Sequence, residues 1–126
     1  PRMNIKAGNT NGVKIAIVEP AAGEKVIRDT QSALDLAMTV KYEYDTNRIA
    51  VPKEAIAEEF FILSSGVAGE ILQKYINYQI KIAIFGDFTR YTSKPLHDFM
   101  YESNNGNDVF FVATEEEAAK YLTGAL

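Results

Sequence analysis

Residues 86–102 carry Asp87, Arg90, Thr92, Ser93, Lys94, His97, Asp98, Tyr101 and Glu102, a dense run of side chains able to bind charge or move protons. The cations Arg90 and Lys94, the hydroxyls of Thr92 and Ser93 and a helix start could cradle an anionic ligand, while Asp87 beside Gly86 orients a hydroxyl or a cation. The plainer use of the same residues is local: Asp87 fixes its turn, and Arg90 and Lys94 lie in solvent. Gly86 stands alone, so this is not the glycine-rich phosphate loop that ends in Gly-Lys-Ser/Thr. His97 and Tyr101 are four apart, as are Asp98 and Glu102, so each pair shares a helix face. A His–carboxylate general base is conceivable there, but no nucleophile is paired with it, and no residue is assigned a catalytic role.

Ser64-Ser65-Gly66 forms a second candidate. A helix opening has unpaired N–H groups and a positive dipole end, so it stabilises a bound anion or an attached phosphate. Phosphorylation would bring about −2 of charge and could switch a docking surface. An N-cap role for one serine accounts for the same residues without any function.

Composition removes several classes. The chain has 17 acidic and 13 basic residues, a net charge of −4, and no Lys/Arg run, which argues against a nucleic-acid surface. Its 7 Tyr and 7 Phe are therefore expected as core filling rather than a base-stacking platform. Cysteine is absent and His97 is the single histidine, so thiol chemistry is excluded and a zinc site is not expected. Glu58-Glu59 and Glu115-Glu116-Glu117 lack the alternating ligands of a calcium loop, and no metal or cofactor is expected. No apolar stretch approaches the roughly 20 residues of a membrane span, and no signal peptide opens the chain, so the expectation is a cytoplasmic protein. Pro1-Arg2 reads as an appended remnant ahead of Met3, leaving residues 3–126 as a single α/β domain.

The positioning elements follow from periodicity. Residues 3–7 and 13–18 flank Gly8-Asn9-Thr10-Asn11-Gly12 as a β-hairpin. Lys25-Val26-Ile27 reads as a short strand, and Asp29 caps a helix to about Glu43 with Ala33, Leu36, Ala37 and Val40 inward. Residues 48–51 form a strand stopped by Pro52. After a helical turn or two, Phe60-Phe61-Ile62-Leu63 is either core or an exposed patch that pairs two copies across a two-fold axis.

Ser64-Ser65-Gly66 is expected to open a helix whose buried stripe is Val67, Ala68, Ile71, Leu72, Tyr75 and Ile76. Residues 80–85 are a buried strand, and Ser93 with Pro95 starts a helix that buries Leu96, Phe99 and Met100. Asn104-Asn105-Gly106 stops it. Residues 108–113 are the last strand, and Thr114 with Glu117 forms a capping box for a helix to about Leu122. The result is one mixed α/β sheet with an N-terminal hairpin and about four helices.

This order resembles the STAS-like domains, the fold of anti-sigma-factor antagonists. In that family a Ser-Ser-Gly-type turn starts the helix after a central strand, and a partner kinase can phosphorylate one hydroxyl. Ser64-Ser65-Gly66-Val67-Ala68-Gly69 resembles that motif, with Ile62-Leu63 standing where the family usually carries an acidic residue. Nearly the whole chain also resembles an uncharacterised bacterial family, numbered 4180 among the domains of unknown function. The residues that carry this resemblance are Gly66-Val67-Ala68-Gly69-Glu70-Ile71-Leu72-Gln73-Lys74, Gly86-Asp87-Phe88, Tyr91-Thr92-Ser93-Lys94, Asp98-Phe99 and Tyr101-Glu102-Ser103-Asn104.

Three functions are therefore expected to compete. The first is a non-enzymatic regulatory or protein-interaction module, partnered by a kinase or regulator. The second is a small anionic-ligand binder or weak hydrolase using residues 86–94. The third is a structural homo-oligomer. The first two place both helix openings on one rim of the sheet.

Overall fold

Asn11 and Gly12 take φ values of 53° and 80°, the pair of positive angles that a two-residue type I′ hairpin loop requires. The hairpin is tighter than the sequence reading had it. Strand β1 (Asn4–Thr10) continues through Gly8, Asn9 and Thr10, pairing Gly8 with Ile15 and Thr10 with Val13 of β2 (Val13–Glu19). A computed structural model describes residues 3–124; the reading of Pro1-Arg2 as an appended remnant lies outside the described residues.

After the hairpin come α1 (Thr30–Tyr44), β3 (Arg48–Pro52), three short 3₁₀ turns, α2 (Val67–Asn77), β4 (Lys81–Phe85), α3 (Lys94–Asn104), β5 (Val109–Val112) and α4 (Glu115–Thr123). The five strands lie in the order β1-β2-β3-β4-β5, antiparallel at the first pairing and parallel at the other three. The architecture is thus a mixed α/β sheet with four helices. Lys25-Val26-Ile27 is not a strand: Ile27 makes one parallel bridge to Ile56.

Alternating side chains divide the interior. Ile49, Val51, Ile82, Ile84, Val109 and Phe111 face α1, α2 and α3, which contribute Leu36, Val40, Ile71, Tyr75 and Leu96 to that core. Ile15, Ile17, Ala50, Ala83, Phe110 and Val112 face α4, through Ala118 and Leu122. Three helices therefore cover one face and a single helix the other. Small residues at Ala50 and Ala83 let α4 lie close to the middle of its face. Arg48 donates from Nε to the Leu122 carbonyl at 2.7 Å, placing a cation at the negative end of α4.

Local caps agree with physical chemistry more closely than with every expectation. Asp29 and Ser32 close a reciprocal capping box on α1, and Thr114 caps α4 by accepting from the Glu117 N–H. The Glu117 side chain does not complete a box; it lies 3.5 Å from the Thr114 hydroxyl. Ile76, read as part of the buried stripe of α2, is 47% exposed, because α2 buries the narrower stripe Ala68, Ile71, Leu72 and Tyr75. The Tyr75 hydroxyl donates to the Ala33 carbonyl at 2.6 Å and ties α2 to α1. Phe60 and Phe61 are core, whereas Ile62 is 55% exposed, so the two aromatic rings are not available to pair with a second copy.

One side chain solves a problem of sheet edges. Among the described residues β5 pairs only with β4, and the N–H and C=O of Phe111 point away from it. The Asn104 amide meets both, donating to the Phe111 carbonyl at 2.9 Å and accepting from its N–H at 2.7 Å. A side-chain amide here replaces a missing strand and blunts the edge. Asn104→Leu is expected to lower stability by about 1–3 kcal/mol, since it strands a buried donor and acceptor. Asn104→Asp should fall in the same range, because a carboxylate cannot donate to the carbonyl. Chemical denaturation checks both variants.

Candidate functional site

The site is built around the carboxyl ends of β3 and β4. β3 ends in Pro52, and Lys53 follows; β4 ends in Phe85, and Gly86 follows. Gly86 has φ 154°, and a Cβ there would stand 2.9 Å from Lys53 Cγ. The glycine thus makes room for the lysine stem, leaving the Lys53 side chain 11% exposed. Its ammonium sits 5.5 Å from the Tyr91 ring centroid and 3.8 Å from Glu54.

Asp87 opens the loop by accepting from Thr89 twice, from the hydroxyl at 2.6 Å and the N–H at 2.9 Å. The Thr89 hydroxyl first, then its N–H, hold the Asp87 carboxyl below the usual carboxylate range, with a smaller contribution from Lys53. A carboxyl whose folded pKa is depressed contributes stability above its unfolded pKa, about 3.9. That contribution is lost as pH falls through the folded value. The Thr89 amide resonance is therefore expected to titrate with a midpoint below about 3.9, as NMR between neutral and acidic pH would record.

Arg90 donates to Glu58 at 2.7 Å, the Tyr91 hydroxyl reaches the same carboxylate at 3.2 Å, and the guanidinium lies 5.2 Å from the Tyr91 ring centroid. Tyr91 stacks on Phe61 with centroids 5.2 Å apart, and Phe88 packs edge-on against Phe111 at 5.9 Å. Phe99 meets Phe111 in the same manner at 5.8 Å. His97 Nε2 meets the Tyr91 carbonyl. A carbonyl can only accept, so Nε2 carries the proton, and Nδ1 is the ring's acceptor when neutral. Ser93 caps α3 by accepting from Leu96 N–H at 3.3 Å, and Lys94 pairs with Asp98 at 2.8 Å. Thr92 is exposed, as are Tyr101 and Glu102, which extend into solvent one turn beyond His97.

Ser64 and Ser65 do not open α2. They lie in a 3₁₀ turn, Leu63–Ser65, and the residue preceding α2 is Gly66, at φ 80° and without a side-chain cap. The Ser65 hydroxyl donates to the Glu59 carbonyl at 2.7 Å and accepts from Val67 N–H at 3.2 Å, closing its own turn. The adjacent Glu58 holds Arg90 and Tyr91. The Glu58–Phe61 turn thus joins the Ser65 segment to the loop of residues 86–93, and the aromatic rings of Phe61, Tyr91 and Phe88 occupy the space between them.

The polar groups of the site are largely engaged with one another. Both loop cations are paired with carboxylates, His97 faces a backbone carbonyl, and each serine with a hydrogen bond closes a local turn. Among the described residues no group of three His, Asp or Glu side chains is placed to hold a metal ion, and no helix is long and apolar enough to cross a membrane. Sequence reasoning missed Lys53, and it weighed Glu58 only beside Glu59 as a metal ligand, not as the partner of Arg90. The placement of Lys53 directly after a strand was a usable signal, whereas the pairing of Glu58 with Arg90 spans 32 residues and left none.

Fold and site together define an α/β domain with a fastened carboxyl-edge loop. The chain belongs to the family described as a domain of unknown function (DUF4180), whose model matches residues 10–122. Comparison with curated proteins and with solved structures finds no match.

Proposed function

We propose that the protein is a non-enzymatic regulatory module of STAS-like architecture, acting in the cytoplasm, which recognises a protein partner through residues 86–94. In this reading the Ser64-Ser65-Gly66 turn shares that rim. One observation carries this reading: an exposed loop is fastened by an Asp87–Thr89 turn, a Glu58 clamp, a Phe61 stack and the His97–Tyr91 contact. Loops held on a rigid scaffold are where binding residues concentrate, and a surface ordered in advance loses less entropy when it docks. The order of hairpin followed by alternating helices and strands supports the STAS-like assignment.

In such a module a phosphate on Ser64 or Ser65 would act through the Glu58–Phe61 turn. On Ser65 it would remove the donor to Glu59 and bring a dianion near the Glu58 carboxylate that clamps Arg90. Arg90 would then have a second anion to bind, and the loop's fastening would change. The anionic-metabolite reading uses Arg90 and Lys94 as its cations, and both are already paired, with Glu58 and Asp98.

A photo-crosslinking residue at Thr92, with a control at exposed Gln73 on α2, tests the recognition surface in the native cell. The reading expects one discrete adduct from position 92 and none from 73; equal labelling or none at all contradicts it. Intact mass from several growth states, with Ser64→Ala and Ser65→Ala in parallel, tests the switch separately. A phosphate lost in one variant supports it, and an unmodified mass throughout removes it.

A further inference from the structure

The connections after β2, β3 and β4 lead to helices on one face of the sheet, and the connection after β5 leads to α4 on the other. Between β4 and β5 the chain therefore leaves in opposite directions. In open α/β sheets that divergence opens a crevice, and ligands bind there. Here the crevice has a volume of about 630 Å³, and its wall includes Asp87, Phe88, His97, Phe111, Glu117 and Tyr121.

The wall combines one sign of charge with aromatic surface. Asp87 comes from the loop after β4 and Glu117 from the first turn of α4, and among the described residues no Lys or Arg lines the space. Arg90, from the same loop, and Lys94, the first residue of α3, pair with Glu58 and Asp98 and do not line the crevice. Thr89 occupies Asp87 Oδ1, which leaves Oδ2 as an acceptor. Carboxylates only accept hydrogen bonds, and aromatic faces attract cations. An anion would meet repulsion, and a neutral apolar group would make use of neither carboxylate.

We propose that this crevice binds a small organic cation with a flat apolar body, such as an aryl amine or amidine. Its N–H groups donate to Asp87 and Glu117, and its body lies against the partly exposed rings of Phe88 and Tyr121. The inference does not depend on a protein partner for the outer face of the loop.

The test is an NMR titration of the full ¹⁵N-labelled chain with benzamidine, benzamide and benzoate, which share a shape and differ in charge. Benzamidine is expected to shift the amides of residues 87–89 and 113–117 saturably, and at least about tenfold more tightly than the other two. Glu117→Gln should weaken benzamidine by about fivefold. The α4 cap would survive that change, because it uses the Glu117 backbone N–H. Asp87→Asn gives an independent second arm on the opposite wall. The proposal is overturned by an absence of shifts up to tens of millimolar, by equal affinity for all three compounds, or by unchanged affinity in both variants.

Discussion

Replacing Phe61 with alanine is expected to cost about 3–5 kcal/mol, the usual range for a buried phenylalanine. Phe61 is 4% exposed and touches three other rings: Phe60 at 5.1 Å, Tyr91 at 5.2 Å and Phe88 at 6.1 Å. Its loss removes core volume under the Glu58–Phe61 turn and the floor on which Tyr91 lies. The denaturant midpoint should fall sharply, and loop amides should lose exchange protection before the rest of the sheet. Phe61→Ser should be at least as damaging, because it adds a buried hydroxyl without a partner. Were Phe61→Ser to keep full stability and change only the sedimentation coefficient, the ring would belong to an interface between copies instead.

Gly86→Ala is the second large expectation, at about 1–3 kcal/mol of destabilisation. An L-residue at φ 154° is strained, and its Cβ would stand 2.9 Å from Cγ and 3.1 Å from Cδ of a lysine that is itself largely enclosed. Lys53 cannot retreat without leaving the Tyr91 ring, so the strain reaches the loop. Gly69→Ala supplies a control of opposite sign. That glycine lies within α2 with open space around its missing Cβ, and alanine there should stabilise by about 0.5–1 kcal/mol. Thermal melts of the two variants should move apart; a shared direction would contradict the backbone argument.

What was legible in the residues were the patterns that act over one element. The alternation and apolar runs of β2, β3, β4 and β5, the stripe of α1, and the caps at Asp29, Ser93 and Thr114 all follow from spacing and local hydrogen bonding. Ser64-Ser65-Gly66 misled because serine before a helix usually caps it, whereas here the αL conformation of Gly66 ends one turn and starts the next helix. Ile76 misled because a helical stripe read by period alone has no defined width. Asn104 was legible only as a stop signal. Its pairing with Phe111 seven residues on depends on where α3 lies beside β5. The Glu58 clamp and the enclosure of Lys53 against Gly86 join segments 32 and 33 residues apart. No local rule specifies such contacts; chain packing does.

These longer-range contacts are also what fasten the loop of residues 86–93. Arg90 and Glu58 are more than half exposed, so their ion pair alone adds little stability. Tyr91 gives it consequence, because the ring lies between the guanidinium, the Lys53 ammonium and Phe61.

Backbone ¹⁵N relaxation of the free protein measures most directly whether residues 87–94 keep one shape without any partner. Order parameters near 0.85, level with the strands, are expected for a loop fastened in this way, about the value of rigid backbone. Values below about 0.6 would mark a flexible segment, and a loop ordered only on binding would contradict the account.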